Sequence, residues 1–431
     1  MTMGELSLHY AGPILHASDL EAAVAAARTA QEGWAALPYG ERARRLKKAG
    51  RFMGERIDAL TGVIQQDTGK LPLDALSAEI VPAFMALDYY LRRGRRFLAS
   101  RPTGAGSPLM FNKRGRMIFR PYGVVGIISP WNYPFAIPFS EAVMALLAGN
   151  AVILKTASDT PGSGRALAAI FAAAELPPSL FAYAEIPGRE AGPALIASGI
   201  DKLFFTGSTG TGRSLMALAA PRLLPLVLEL GGADAAVVCA DADLDRAASG
   251  LIWAAYANAG QSCGGAQRIL IHQAVYSAFA ERFTARVRAL RPGIDLGPMA
   301  SLRQKAAVER QIAGCLAQGA VIAAQSPGAG AMEGAERFVP AIALTQVNSS
   351  MPVMADELFG PVAALIPFAD DEAAVRMANA SPYGLTGSVW SRSRAHAKAL
   401  AGRINAGAVM INDHLMSHGL AETPWGGFGD S

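Results

Sequence analysis

Val124-Val125-Gly126-Ile127-Ile128-Ser129-Pro130-Trp131-Asn132-Tyr133-Pro134 decides the architecture. Five residues without a polar side chain run into a Ser-Pro break. That is the length and composition of a strand buried on both faces. Working outward, the pattern repeats at Ala151 to Leu154, Leu203 to Thr206 and Leu226 to Leu230, with Ala-rich helices between, including Gly164 to Ala174 and Gly212 to Ala220. Short apolar strands alternating with helices predict a parallel sheet covered on both sides. A second set follows, with strands near Ala235 to Val238, Arg268 to Ile271, Val362 to Ile366, Gly387 to Trp390 and Ala408 to Ile411. Helices over Val275 to Leu290 and Gln304 to Ala317 separate some of them. The expected fold class is α/β, with two doubly wound parallel-sheet domains in sequence.

Upstream of Val124 the pattern is helical. Ser18 followed by Glu21 predicts a capping box, and Leu20, Val24, Ala27 and Trp34 recur near helical spacing. Further helices are expected over Arg42 to Ile57 and Asp74 to Arg93. Between Arg101 and Arg120, Pro, Gly and β-prone pieces such as Met117-Ile118-Phe119 predict a hairpin that leaves the domain body. The run Pro327 to Gly334 is expected to be a surface loop.

At 431 residues the chain exceeds the size at which one core stops growing. With 51% hydrophobic and 17% charged residues it is too apolar to be disordered. Its 39 basic and 35 acidic residues leave a scattered excess of +4, which does not argue for nucleic acid. Two basic clusters, Arg42, Arg44, Arg45, Lys47 and Lys48, and Arg92, Arg93, Arg95 and Arg96, are expected to be solvated helix faces. Neither carries aromatics suited to base stacking. Cys239, Cys263 and Cys315 are too few and too far apart for a disulfide framework, so a reducing compartment, the cytoplasm, is expected. The first twenty residues lack a secretory pattern. The apolar region Ala142 to Leu154 is broken by Gly149 and Asn150 and is too short to span a bilayer, so no membrane partner is expected.

Chemistry-bearing residues cluster near the ends of predicted strands. Gly260-Gln261-Ser262-Cys263-Gly264-Gly265 flanks a cysteine with glycines, where backbone can approach a ligand closely. A buried structural cysteine is the alternative, and Cys239 and Cys315 fit that reading. Leu228-Glu229-Leu230-Gly231-Gly232 ends a strand with a carboxylate. A lone glutamate there serves as a cap or ion-pair partner, but strand ends of α/β sheets also gather ligand-contacting groups. Asn132, after another strand, offers an amide as an oxyanion donor. Phe205-Thr206-Gly207-Ser208-Thr209-Gly210-Thr211-Gly212-Arg213 is a Gly-rich turn into a helix, presenting amides and the positive helix end to a phosphate. His414 and His418 have helical metal-pair spacing, but no third ligand is apparent and a loop placement fits better, so no metal is expected.

Together these segments resemble the aldehyde dehydrogenase family. They occur in the family's order, along with Gly69-Lys70, Ile153-Leu154-Lys155, Glu357-Leu358-Phe359-Gly360-Pro361 and Pro424-Trp425-Gly426-Gly427-Phe428. The resemblance implies oxidation of an aldehyde to the carboxylic acid through a cysteine hemithioacetal and thioester. Cys263 would be the nucleophile, Glu229 the general base and Asn132 an oxyanion donor. Ile128, Trp131, Lys155, Ser158, Gly207, Ser208, Gly212, Glu357 and Phe359 would bind NAD or NADP. Segments 1–100 and 122–229 would form a Rossmann-like cofactor domain, 101–121 an oligomerisation hairpin and 230–413 the catalytic domain. A homodimer is implied, since the short N-terminus resembles the dimeric branch.

The sequence departs from the family pattern in three places. Many NAD-using members carry an acidic residue three positions after the lysine equivalent to Lys155; Ser158 stands there instead, which removes a repulsion against NADP. Ala233 and Ala235 replace a polar residue and a proline, with local effects expected. Segment 414–431 ends at Gly429-Asp430-Ser431 and is expected to be truncated relative to the family. In the acylating branch coenzyme A resolves the thioester, and that branch generally lacks the glutamate equivalent to Glu229. A third reading is a non-catalytic family member, against which Cys263, Glu229 and Asn132 all argue.

Overall fold

A computed structural model describes residues 8, 10, 12–104 and 106–431, apart from the side chain of His418. Contacts divide the chain into two units. The first comprises Met1–Val63, Ala78–Phe205 and Ser214–Val227; the second comprises Ile64–Ser77, Thr206–Arg213 and Leu228–Ser431.

The first sheet has six strands: β1 (Ile14–Leu15), β4 (Val124–Ile128), β5 (Ala151–Lys155), β6 (Phe181–Ala184), β7 (Lys202–Thr206) and β8 (Leu226–Glu229). Its order is β1-β6-β5-β4-β7-β8. All five residues of β4 and of β5 are buried, as strands sandwiched between helices must be. Strands β5 and β6 lie to one side of β4 and β7 to the other, so the winding reverses at β4. In open α/β sheets such a switch point is where ligands bind, beyond the carboxyl ends of the strands. Helix Leu20–Ala36 packs on this sheet, and its Trp34 Nε1 donates to the Leu146 carbonyl at 2.8 Å. The hairpin is present as β2 (Arg101–Thr103) and β3 (Gly115–Met117), antiparallel and exposed. Residue 105, within it, lies outside the described residues.

The second sheet has seven strands: β9 (Asp234–Val238), β10 (Ala266–His272), β11 (Val321–Gln325), β12 (Ile342–Thr345), β13 (Val362–Phe368), β15 (Thr386–Trp390) and β16 (Ala408–Ile411). They run in the order β11-β12-β13-β10-β9-β15-β16. Only β11 is antiparallel to its neighbour, so this sheet is mixed at one edge. Strands β14 (Tyr383–Gly384) and β17 (Phe428–Gly429) form a small separate pair. Among the described residues, no helix is long and apolar enough to cross a membrane.

Several local expectations are corrected. The Ser18–Glu21 capping box does not form. Helical structure begins earlier, at Ala17, where the Asp19 carboxylate accepts from the His16 N–H at 2.8 Å. The helix expected over Arg42 to Ile57 spans Tyr39–Gly54, and a separate helix covers Ile57–Thr68. The next begins at Pro72 and passes through a π turn at Leu76–Ile80 before Val81–Phe97. Arg42 is not solvated. Its guanidinium is buried against the carbonyls of Leu37 at 2.5 Å, Leu147 at 3.1 Å and Ala35 at 3.3 Å, because these chain ends have no intrahelical donor. Strands β1, β6, β11 and β12 are not marked by any sequence pattern strong enough to predict them.

Candidate active site

In the first unit the predicted residues gather at the carboxyl ends of adjacent strands. Ile128 and Lys155 are register partners across β4 and β5, and the Ser129 N–H donates to the Lys155 carbonyl at 3.0 Å. Trp131 and the buried Asn132 follow directly. Glu79 fixes the segment beyond them: its carboxylate accepts from the Phe135 and Ala136 N–H groups at 3.1 and 2.8 Å. It thereby satisfies amides that the first turn of helix Ala136–Leu147 leaves unpaired. Lys155 is buried, which lowers its amine's pKa, while Asp159 opposes that shift. Ser158 is exposed. Asp159, the next residue, is also exposed, and its charge is the one that acts on Lys155.

The second unit holds the others. Gly207 and Ser208 precede helix Thr209–Ala219, with Gly212 buried in its first turn. The Gly207 N–H donates to the Glu229 carbonyl at 3.0 Å, tying the turn to the end of β8. The Cys263 loop is shaped by its own neighbours. Asn258 and Ala259 adopt left-handed backbone, and Asn258 and Gln261 exchange side-chain-to-carbonyl bonds at 3.1 and 3.0 Å. At Gly260 a Cβ would lie 2.2 Å from the Gly360 carbonyl oxygen, so only glycine fits. Gln267, Gln304 and Gln311 brace the segment Glu357 to Phe359. Gln267 accepts from the Leu358 N–H at 2.8 Å, while Gln304 and Gln311 donate to the carbonyls of Phe359 and Glu357, each at 3.1 Å. The Glu357 carboxylate accepts from the Gly232 N–H at 3.1 Å.

Electrostatics single out a small set of groups. Desolvation raises the Glu229 carboxyl to about 7, and its Oε2 is buried without a hydrogen-bond partner among the described residues. Glu357 is likewise raised to about 7 by burial, opposed by the Gly232 N–H. Burial pushes the Cys263 thiol up, and Glu357, Asp234 and Glu229 push it further. The Gly264 N–H pulls the other way. Cys263 and Glu229 therefore share one electrostatic environment within the second unit.

Sequence reasoning passed over Asp234 and Arg268, and weighed His414 only as half of a metal pair. Fully buried Asp234, raised to about 7 by desolvation, accepts from the Thr386 hydroxyl at 2.5 Å and the Thr386 N–H at 3.0 Å. Buried Arg268 donates to the carbonyls of Ala233, Met377 and Ala378 at 2.7, 2.9 and 3.0 Å. A charged residue at the edge of a predicted strand was the available signal for each. His414 is buried with both ring nitrogens engaged, by Ser388 and the Gly264 carbonyl, which removes it as a metal ligand. The side chain of His418 lies outside the described residues.

A family model described as the aldehyde dehydrogenase family matches residues 10–431, and the chain belongs to that family. The 4,4'-diapolycopene aldehyde oxidase of a Methylomonas species is 36% identical over 429 residues, covering 98% of this chain and 79% of the relative. The crystal structure of an E. coli NADP-dependent enzyme superposes with a TM-score of 0.89 at 32% identity, covering 97% of this chain and 86% of that one. Betaine aldehyde dehydrogenase from Staphylococcus aureus, solved with NAD+, gives a TM-score of 0.89 at 26% identity, covering 96% and 82%. The protein is an enzyme that oxidises an aldehyde to a carboxylic acid with NAD or NADP. Its α/β fold is that of the family.

Proposed function

We propose that Cys263 is the nucleophile of this oxidation, Glu229 the general base, and Asn132 an oxyanion donor alongside the Cys263 N–H. The observation that carries this reading is the Glu229 carboxyl. It is buried, has an oxygen with no partner among the described residues, is pushed up to about 7, and its charge raises the Cys263 thiol.

The chain's groups divide the work as follows. The Cys263 thiolate adds to the aldehyde carbon, and the oxyanion that forms is met by fixed N–H donors; one such donor contributes about 2.7–4 kcal/mol. Bound nicotinamide supplies the acceptor for the hydride that the hemithioacetal gives up, leaving a thioester on Cys263. Glu229 then takes a proton from water, which attacks the thioester carbonyl. The carbon–sulfur bond breaks, releasing the acid and the Cys263 thiolate. A base poised near the working pH is suited to that step. Water rather than coenzyme A is the acceptor, since Glu229 is present to activate it.

The residues present fit a dinucleotide. The N-terminal end of helix Thr209–Ala219, with exposed Ser208 before it, suits a pyrophosphate at Gly207, Ser208 and Gly212, although the Thr209 hydroxyl there already donates to the Asp430 carbonyl at 2.8 Å. Buried Lys155 offers a cation to the adenosine ribose, with Ile128, Trp131 and Ser158 nearby along the same strand ends. Braced Glu357 would hold the nicotinamide ribose, with Phe359 beside the ring. Segments 1–100 and 122–229 would then be the cofactor domain and 230–413 the catalytic domain. The hairpin 101–121, with Leu109, Phe111 and Ile118 exposed, would be covered in a homodimer. The three free cysteines fit a cytoplasmic setting.

The test follows reduced cofactor with aldehydes of graded size, supplying NAD or NADP, with and without coenzyme A. Cys263→Ala is expected to abolish turnover while cofactor binding persists. Glu229→Gln is expected to retain a burst of one reduced cofactor per site and lose steady-state turnover; absence of the burst refutes the base assignment.

A further inference from the structure

The second sheet reverses its winding between β9 and β15. Strands β10 and β13 lie to one side of β9, while β15 and β16 continue on the other. In open α/β sheets ligands bind at such a point, beyond the carboxyl ends of the strands. The Cys263 loop lies at the opposite edge. It leads into β10, whose Ala266 pairs with Asp234 at the amino end of β9. The carboxyl end of β9 is about 16 Å away, at about 3.3 Å per residue from Asp234 to Cys239.

A separate set of groups gathers there. Cys239 follows β9, and its N–H donates to the carbonyl of Trp390, the last residue of β15, at 2.9 Å. Ligand atoms of Cys239, Asp241 and His396 all lie within 4.8 Å of one another. Cys239 is buried, His396 half-buried and Asp241 exposed, so the cluster opens to solvent. Asp241 Oδ2 accepts from the Ser391 hydroxyl at 2.9 Å and the Ser393 N–H at 3.0 Å. His396 stands in the first turn of helix Arg394–Ala401, which Ser393 caps. Its Nε2 lies 2.7 Å from Asp371 Oδ2.

Thiolate and imidazole together select zinc-like cations over magnesium or calcium, which prefer oxygen. A carboxylate on one ring nitrogen is how proteins orient a histidine to ligate through the other. Asp241 keeps acceptor capacity, since a carboxylate offers about four lone-pair sites. Negative charge is in excess. Burial first, then Asp241 and Asp371, push the Cys239 thiol up to about 12. Among the described residues, no lysine or arginine forms an ion pair with either carboxylate; Asp371 pairs with His396. Arg403, whose charge feels Asp371, is held by Glu372 at 2.6 Å. Zinc ligands stand about 3.3–3.7 Å apart at ordinary bond lengths, so closing from 4.8 Å takes about 1 Å of side-chain movement.

We propose that Cys239, Asp241 and His396 form a binding site for zinc or another divalent cation that takes nitrogen and sulfur ligands, with Asp371 orienting the imidazole and water completing the coordination. The Cys239 proton leaves to solvent as the thiolate binds. The ion ties the end of β9 to helix Arg394–Ala401 and takes no part in the oxidation.

The experiment titrates the metal-stripped full chain with Co2+, whose bond to a thiolate gives a charge-transfer band in the near ultraviolet. Cys263→Ala is the background, so that the sulfur at 263 does not contribute. One Co2+ per chain with that band, displaced by equimolar Zn2+, is expected. Adding Cys239→Ser, which nearly keeps side-chain volume, is expected to abolish the band. Asp371→Ala is expected to weaken binding about 10- to 100-fold, the effect of losing the group that orients a ligand, and His396→Gln by at least as much.

Absence of the band, or a band that survives Cys239→Ser, overturns the proposal. So does unchanged affinity in His396→Gln, and unchanged affinity in Asp371→Ala overturns its orienting role. Should Cys239→Ser fail to fold, His396→Gln decides: lost affinity supports the site and unchanged affinity overturns it. None of these outcomes depends on which residue attacks the aldehyde.

Discussion

Replacing Glu229 by Gln isolates the cost of an ionised carboxylate at the end of β8. In the folded protein this group titrates at about 7, against an ordinary 4.5, because burial disfavours its charge. That gap spans about 2.5 pH units, or about 3.5 kcal/mol at about 1.4 kcal/mol per unit, of which about 3 kcal/mol falls between pH 4.5 and pH 8.5. The sign follows from linkage. A carboxyl whose folded pKa is raised favours folding while protonated, so its contribution is fully present below pH 4.5 and is lost as pH rises through 7. The substituted amide cannot ionise, so the variant escapes this loss. It contributes a constant offset that cancels when only the pH dependence is compared. Thermal unfolding of both proteins, followed by intrinsic fluorescence from pH 4.5 to pH 8.5, is the assay. The difference in midpoint, variant minus parent, is expected to rise across that range by roughly 6 to 12 °C for a unit of about 200 residues. A difference that stays flat with pH, or that falls, refutes the claim that Glu229 is desolvated and poised near neutrality.

Two further outcomes are expected. Gly260→Ala forces a Cβ to within 2.2 Å of the Gly360 carbonyl oxygen at a φ of +68°. It should cost several kcal/mol on the scale of strained or overpacked sites, read as a lower urea midpoint with loss of turnover. Arg42→Ala, which strands the buried carbonyls of Leu37 and Leu147, should destabilise by about 2–3 kcal/mol, while Arg44→Ala at an exposed ion pair should leave the unfolding midpoint unchanged. Similar losses for the two arginines would refute the distinction.

What the sequence made legible follows physical lines. Val124 to Ile128 announced itself because a strand covered on both faces tolerates no polar side chain. Cys263 and Glu229 drew attention because glycines flank them, and the structure adds that both are buried groups with raised pKa values. Arg42 misled because the carbonyls it reaches belong to Ala35 and Leu37 and to Leu147, over a hundred positions away, and nothing local reveals that. Asp234 and Arg268 were hidden for the same reason: their partners, Thr386, Met377 and Ala378, are set by the packing of distant segments. His414 was visible only as half of a histidine pair, and the pairing was the wrong context.

Gly231, Gly232 and Gly260 each lack room for a methyl group, against Glu357, the Cys263 carbonyl and the Gly360 carbonyl respectively. At Gly232 and Gly260 the obstruction is polypeptide backbone, and at Gly231 it is the Glu357 carboxylate. Backbone atoms cannot be trimmed by mutation, so residue swaps at Gly232 and Gly260 cannot reshape the segment around Cys263 without moving the chain itself.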